Sequence, residues 1–273
     1  MALRITNNIA SLNAQRHISG SQKGLSTSLE RLSSGLRINK AGDDAAGLAI
    51  SEKLRSNIRA LHQASRNGAD GVALIQVAES AMEEISNMIN RMKELAEQAS
   101  TGTVSSVERG YLDNEFKSLR SEINRIAEAT SFNSTHLLDG SLDVDIQIGL
   151  SNGANDSINI AISDVHSTVL GLTSSISTVT AAQLALGTCN SAISSISDRR
   201  AALGSLQNRL ESVVSNIDTV VENLTGAESR IRDVDIASET ANLTKYNILV
   251  QAGVSVLSQA NQSPQIALQL LQG

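Results

Sequence analysis

The sequence predicts a mainly α protein, with long antiparallel helices in a coiled-coil-like bundle interrupted once by a small central β-hairpin. Three observations carry that prediction. Ile196, Leu203, Leu210, Ile217 and Leu224 recur every seven residues, and Leu206, Val213 and Val220 follow three places later, which is the spacing of a coiled-coil seam. Hydrophobic residues make up 41% of the 273-residue chain, but aromatic ones only 1%, with no Trp. A core of Leu, Ile, Val, Met and Ala without aromatic anchors suits extended helical seams better than a rounded globule. Strict alternation occurs in one region only, at Leu142, Val144, Ile146, Ile148 and Leu150 and again at Ile158, Ile160 and Ile162. Period two means strands, and "SNGAND" between the two runs supplies hairpin turn residues.

The remaining elements follow in chain order. Ile18, Leu25, Leu29, Leu32 and Leu36 form a narrow heptad-like stripe, with Ile5, Ile9 and Leu12 one residue out of phase. "LSSGLRINKAGDDAAGLAI" (32–50) then breaks the helix, and Asp43 and Asp44 read as the start of the next one, where a carboxylate accepts free backbone N–H groups. Beyond it, Leu54, Leu61, Ile75, Met82 and Ile89 recur in sevens with Gly68 in the empty place, beside a row of Ala64, Ala78, Ile85, Met92 and Ala99. That predicts a long helix with a weak point at "NGADG" (67–71), where glycine lowers helix propensity. "STGTVSSVERG" (100–110) reads as a loop, and Leu112, Phe116, Leu119, Ile123 and Ile126 as a second amphipathic helix. Residues 165–182 are rich in Ser and Thr and are expected to form a loop or surface excursion. After Gly226 a last seam runs through Ile236, Leu243, Val250 and Leu257, and Pro264 interrupts no seam.

Both terminal seams are thin. Burying one Leu or Ile contributes about 1.5–3 kcal/mol, whereas ordering each residue costs roughly 1–2 kcal/mol of backbone entropy. With one strong anchor per heptad, the terminal segments are predicted to become helical only against partners. Antiparallel helices joined through the distal hairpin would bring the two weak seams together and the two strong ones together.

The chemistry of sites is sparse. A formal charge of −6 argues against nucleic acid, which needs a basic face. Cys189 is the only cysteine, so no intrachain disulfide forms and a cysteine metal site is not expected. No apolar run reaches membrane-spanning length, and "MALRITNNIASLN" lacks the basic and apolar regions of a Sec signal. His17, His62, His136 and His166 are scattered, HExxH is absent, and "GSQKG" has neither the spacing nor the ending of a nucleotide loop. Asp143 and Asp145 lack the further ligands of a calcium loop and read as an exposed strand face. "STVLGLTSSISTVT" reads as a solvated loop, with O-glycosylation as the alternative. No cofactor and no catalytic constellation is expected.

"LERLSSGLRINKAGDDAAGLAISEKLRSNIRAL", "QASRNGADGVALIQVAESAMEEI", "RMKELAEQAS" and "SEINRIAEATSFNSTHLLDG" resemble the N-terminal signature of bacterial flagellins. "IRDVDIASETANLTK" and "QANQSPQIALQLL" resemble that family's C-terminal end, so the likeness covers roughly 1–140 and 185–273 and leaves no room for large outer domains. The resemblance implies a structural filament subunit for motility, secreted to the bacterial flagellum. It implies an inner D0 layer from 1–45 and 229–273, a D1 shell from 46–139 and 183–228, and a hairpin with a Ser/Thr-rich surface segment over 140–182. Leu25, Leu29, Leu32 and Leu36 would then face Ile236, Leu243, Val250 and Leu257 in D0. The partners it implies are further copies of the chain as a helical homopolymer, the flagellar export apparatus with its chaperone, and the cap and junction proteins. Arg91, Leu95 and Glu115, in "NRMKELA" and "DNEFKSL", match positions where Toll-like receptor 5 grips some flagellins. A hook–filament junction protein shares the terminal seams and is the nearest alternative; a non-flagellar coiled-coil protein would leave the hairpin unexplained.

Overall fold

A computed structural model describes residues 7–272, with side chains through Gln262. Ile5 of the first stripe lies outside the described residues. The elements are α1 (Ile9–Ser34), α2 (Ala45–Ser100), α3 (Ser106–Ala129), the short strands β1 (Ser131–Phe132) and β2 (Thr135–His136), the hairpin β3 (Asp143–Gln147) and β4 (Ser157–Ala161), then α4 (Val179–Arg232) and α5 (Ile236–Gln272). The chain divides into two compact units. One comprises residues up to Ser56 together with Asn223 onward, and the other spans Asn57–Glu222.

The second unit holds the main core. Along α2, positions 61, 64, 68, 71, 75, 78, 82, 85, 89, 92, 96 and 99 are all buried, an unbroken alternation of three and four. The two glycines of "NGADG" belong to that row and do not break the helix. A Cβ at Gly68 would stand 2.6 Å from Val214 Cγ2, so the glycine is a socket for a facing valine. On α4 the buried row begins before the predicted seam, at Ala182, Ala185, Cys189 and Ala192, and continues through Ile196, Leu203, Leu210 and Ile217. Burial raises the Cys189 thiol to about 11, which leaves it protonated and unreactive.

α3 starts earlier than its apolar pattern shows. Ser105 and Glu108 form a reciprocal capping box, each side chain accepting from the other's backbone N–H. In the hairpin, Asp143 pairs with Ala161 and Gln147 with Ser157. Ile158 and Ile160 are buried, whereas Asp143 and Asp145 face outward and both accept from Asn159 Nδ2. β1 and β2 were not visible as an alternating pattern, because their turn relies on Asn133 and Ser134 in the left-handed region.

The expectation for 165–182 is corrected. Val165, Leu170, Leu172 and Ile176 are buried, and α4 already begins at Val179. Backbone N–H groups of this segment donate to the Leu138 carbonyl, to Asn124 Oδ1 and to Asp113 Oδ1. Four widely spaced apolar side chains anchor it, and the intervening Ser and Thr mask them in any compositional reading. Burial alone would raise the Asp113 carboxyl. Hydrogen bonds from Lys117, the Ile176 N–H and the Ser175 hydroxyl outweigh burial and hold it below the ordinary carboxylate range.

In the first unit the break between α1 and α2 is a built turn. Gly35 caps α1 in the left-handed conformation (φ +73°) and donates to the Arg31 carbonyl. Asp44 accepts from the Gly47 N–H at 2.9 Å, as expected for a helix start, whereas Asp43 accepts from the Asn39 and Lys40 N–H groups and closes the preceding turn instead. Leu36 is not a seam residue, because α1 has already ended; it forms an antiparallel bridge with Asp233. Arg37 N–H donates to the Arg232 carbonyl and Val234 N–H to the Gly35 carbonyl, which ties the two connecting segments together.

Candidate functional site

The pairing of α1 with α5 is antiparallel. Asn8 Nδ2 donates to the Ala260 carbonyl at 2.8 Å near one end, and the Ser28 hydroxyl donates to Glu239 at 2.5 Å near the other. The protected row on α1 is Ser11, Ala14, Ile18, Ser21, Leu25, Ser28 and Leu32, and on α5 it is Glu239, Leu243, Tyr246, Val250, Gly253, Leu257 and Ala260. Leu25, Leu32, Leu243, Val250 and Leu257 therefore sit in the seam as expected. Leu29 is 52% exposed and Ile236 55% exposed; the α1 row passes through Ser28 instead of Leu29, and the α5 row starts at Glu239. Sequence reading follows the larger apolar residue, while the register follows whichever side chain fits the facing helix.

The seam interlocks through missing side chains. A Cβ at Gly24 would lie 2.6 Å from the Tyr246 ring, and one at Gly253 would lie 2.7 Å from Ile18 Cγ1. Glu239 is a buried carboxylate satisfied by Ser28, with Arg31 Nη1 at 3.6 Å. The signal available in the sequence was polarity at a heptad position, since Ser28 and Glu239 occupy places that an apolar seam would fill.

The outside of this pair exposes several large apolar side chains among its polar ones. With about 3.6 residues per turn, Ile248 points away from the α1-facing row, Leu249 and Val256 lie on one flank and Val254 on the other. Ile248 is 60% exposed and Val256 58% exposed, and Ile9 and Leu12 are likewise exposed on α1. Between Ile236 and Gln262 only Glu239 and Lys245 are charged. A helix with so few charges that exposes large apolar side chains on several sides is suited to further burial.

In the second unit Ile196, Leu203, Leu210 and Ile217 are buried, and Leu206 and Val213 pack half-buried against the core. Leu224, in the first unit, is half-buried. Val220 is exposed and Val221 takes the inward place. An α-helix drifts against a strict seven-residue repeat, and here the drift reaches one residue.

Arg91 Nε and Nη2 both donate to Glu115 Oε1, at 3.0 and 2.9 Å, and Nη1 donates to Glu94 at 3.0 Å. These hydrogen bonds, with Glu94 first and Glu115 next, raise the guanidinium above its usual range. The link from α2 to α3 expected of Arg91 and Glu115 is therefore made on the surface. Leu95 does not join it, for it is buried at 1% exposure in the core beneath. Side chains four apart on a helix share a face only loosely, and the a/d row at 92, 96 and 99 draws Leu95 inward. Among the described residues no group of three or more His, Cys, Asp or Glu is placed to hold a metal, and no helix is long and apolar enough to cross a membrane.

Two family descriptions match the chain: "Bacterial flagellin N-terminal helical region" over residues 5–143 and "Bacterial flagellin C-terminal helical region" over residues 186–271. A flagellin of Halalkalibacterium halodurans is 45% identical over 271 residues, covering 98% of this chain and 99% of its own. A flagellin of Bacillus subtilis is 41% identical, with 98% and 100% covered. Among solved structures, Bacillus cereus flagellin is similar at a TM-score of 0.51 and 32% identity, over 56% of this chain and 88% of its own. A putative flagellar hook-associated protein from Vibrio parahaemolyticus shares the fold at a TM-score of 0.60 and 12% identity, over 70% and 100%.

Proposed function

Because the chain belongs to the bacterial flagellin family, we propose that its α1–α5 unit is the part through which copies join and that the outer apolar face of α5 is covered by neighbouring copies. The chain is a structural subunit of the flagellar filament, which it forms by self-polymerisation, and it is not an enzyme. The observation that carries the proposal is the nearly uncharged α5, with Ile248, Leu249, Val254 and Val256 exposed around it. In this reading 1–45 and 229–273 are the inner D0 layer, and 46–139 with 183–228 the D1 shell. Export without a Sec signal, delivery by a chaperone that covers the same α5 face, and contact with cap and junction proteins belong to the same reading. Seeded growth followed by electron microscopy tests it. Wild-type chain should elongate seeds, and Ile248→Asp should not, with monomer melting unchanged; equal elongation would remove α5 from the interface.

A second reading concerns Arg91. The Arg91–Glu115 pair is a surface feature at a position matched to Toll-like receptor 5 recognition, and Leu95, being buried, takes no direct part in it. A receptor reporter assay on free monomer checks this: no activation by wild-type chain would exclude it.

A further inference from the structure

The sequence contains two Asn–Gly steps, Asn67–Gly68 and Asn152–Gly153, and the fold puts them in opposite settings. Asn67 lies in the middle of α2. Its Nδ2 donates to the Gln147 carbonyl at 3.0 Å and its Oδ1 accepts from Gln63 at 2.9 Å, so both the backbone and the carboxamide are held. Asn152 lies in the exposed connection between β3 and β4, and its side chain has no hydrogen bond among the described residues. Gly153 N–H is outside any helix or ladder and donates instead to Asp156 Oδ2 at 3.2 Å. Asp156 is itself anchored. Its N–H donates to the Gly153 carbonyl, and its carbonyl accepts from the Ile148 and Gly149 N–H groups.

We propose that Asn152 is a site of spontaneous covalent modification, in which Gly153 is the nucleophile and Asp156 the proton acceptor. The Gly153 backbone nitrogen attacks Asn152 Cγ and forms a new N–Cγ bond. Its proton passes through the Asp156 carboxylate to the departing carboxamide nitrogen, the Cγ–Nδ2 bond breaks and ammonia leaves. Water then opens the resulting succinimide to an aspartyl or an isoaspartyl residue. No electron transfer is involved, and water is the only co-reactant. Each requirement is met in this loop: a following residue without Cβ, so the nitrogen can reach the side chain; an unbound carboxamide; and a carboxylate within hydrogen-bonding reach of the attacking N–H. Asn67 shares only the following glycine: the helix holds the Gly68 N–H, and the carboxamide is bonded to Gln63 and to the Gln147 carbonyl. Conversion places a second carboxylate beside Asp156, and the isoaspartyl product lengthens the backbone inside the turn. Both changes act against the Gly153–Asp156 contacts that close the hairpin.

The test is peptide mass spectrometry, with fragmentation that separates aspartyl from isoaspartyl, on full-length chain aged in buffers across neutral pH. Asn152 should convert at least several-fold faster than Asn67, and its rate should rise less than in proportion to hydroxide. In denaturant the two sites should become comparable. Asp156→Asn should slow conversion at Asn152 and restore proportionality to hydroxide, and Gly153→Ala should nearly stop it. Equal rates at the two sites in the folded chain, or a preference that persists in denaturant, would overturn the proposal. An unchanged or faster reaction in Asp156→Asn would overturn the role given to Asp156.

Discussion

Gly253→Ala separates helix propensity from pairing, because the two respond in opposite directions. The added methyl should favour the isolated α5 helix by about 0.5–1 kcal/mol. The same methyl would sit 2.7 Å from Ile18 Cγ1, well inside ordinary contact distance, and Ile18 is buried in the α1 row. Overpacking of that kind costs about 1–3 kcal/mol. The net expectation is an α1–α5 pairing weakened by about 0–2.5 kcal/mol per subunit, despite a more helical α5. Thermal disassembly of filaments, followed by light scattering, reads the pairing, and circular dichroism of an α5 peptide reads the propensity. Ile18→Ala removes the atom that the new methyl strikes, so the double variant should lose less than the sum of the two single losses. Filaments of Gly253→Ala that melt higher than wild type, or strictly additive losses, would refute the socket argument.

Other outcomes follow from the same structure. Leu210→Asp places a carboxylate in the core of the second unit and should lower monomer melting severely, whereas Leu257→Asp should leave it nearly unchanged and block seeded growth; differential scanning calorimetry with electron microscopy checks both. Arg91→Ala removes exposed ion pairs that solvent screens, so monomer melting should barely move while receptor activation falls in a reporter assay. Asp113 is held below the ordinary carboxylate range, so its contribution is complete above the unfolded carboxyl pKa and disappears as pH falls through the lower folded value; in Asp113→Asn that part of the acid loss should be missing from pH-dependent melting curves. Cys189, buried with its thiol pushed up to about 11, should resist thiol reagents until the second unit unfolds, which labelling along a urea series will show.

The parts of the fold legible in sequence were those built from large side chains at regular spacing. The α2 rows, Ile196 through Ile217 on α4, and the alternation at 142–148 and 158–162 fall where expected; Leu150 is exposed beyond the end of β3. Small residues hid the rest. Ala182, Ala185 and Ala192 extend the α4 seam without raising an apolar signal, and Gly68 reads as a weak point where the structure uses it as room for Val214, just as Gly24 and Gly253 make room for Tyr246 and Ile18. Residues 165–178 read as a solvated loop because four anchors were diluted by Ser and Thr. Around the candidate site, Arg91 and Glu115 were paired correctly across two helices. Leu95 was misplaced because four-residue spacing fixes a side but not the depth of burial. The apolar stripe runs through Leu29, whereas the seam takes Ser28, whose hydroxyl meets Glu239 on the facing helix.

The central claim is that the α1–α5 pair is an incomplete interior that further copies of the chain complete. Hydrogen exchange on free monomer and on assembled filament, read over Ile9–Ser34 and 236–262, tests it most directly. The account predicts rapid exchange in the monomer, where Ser, Ala and Gly line much of the seam and Ile248, Leu249, Val254 and Val256 are left exposed, and strong protection in the filament. Equal protection of these amides in monomer and filament would contradict it.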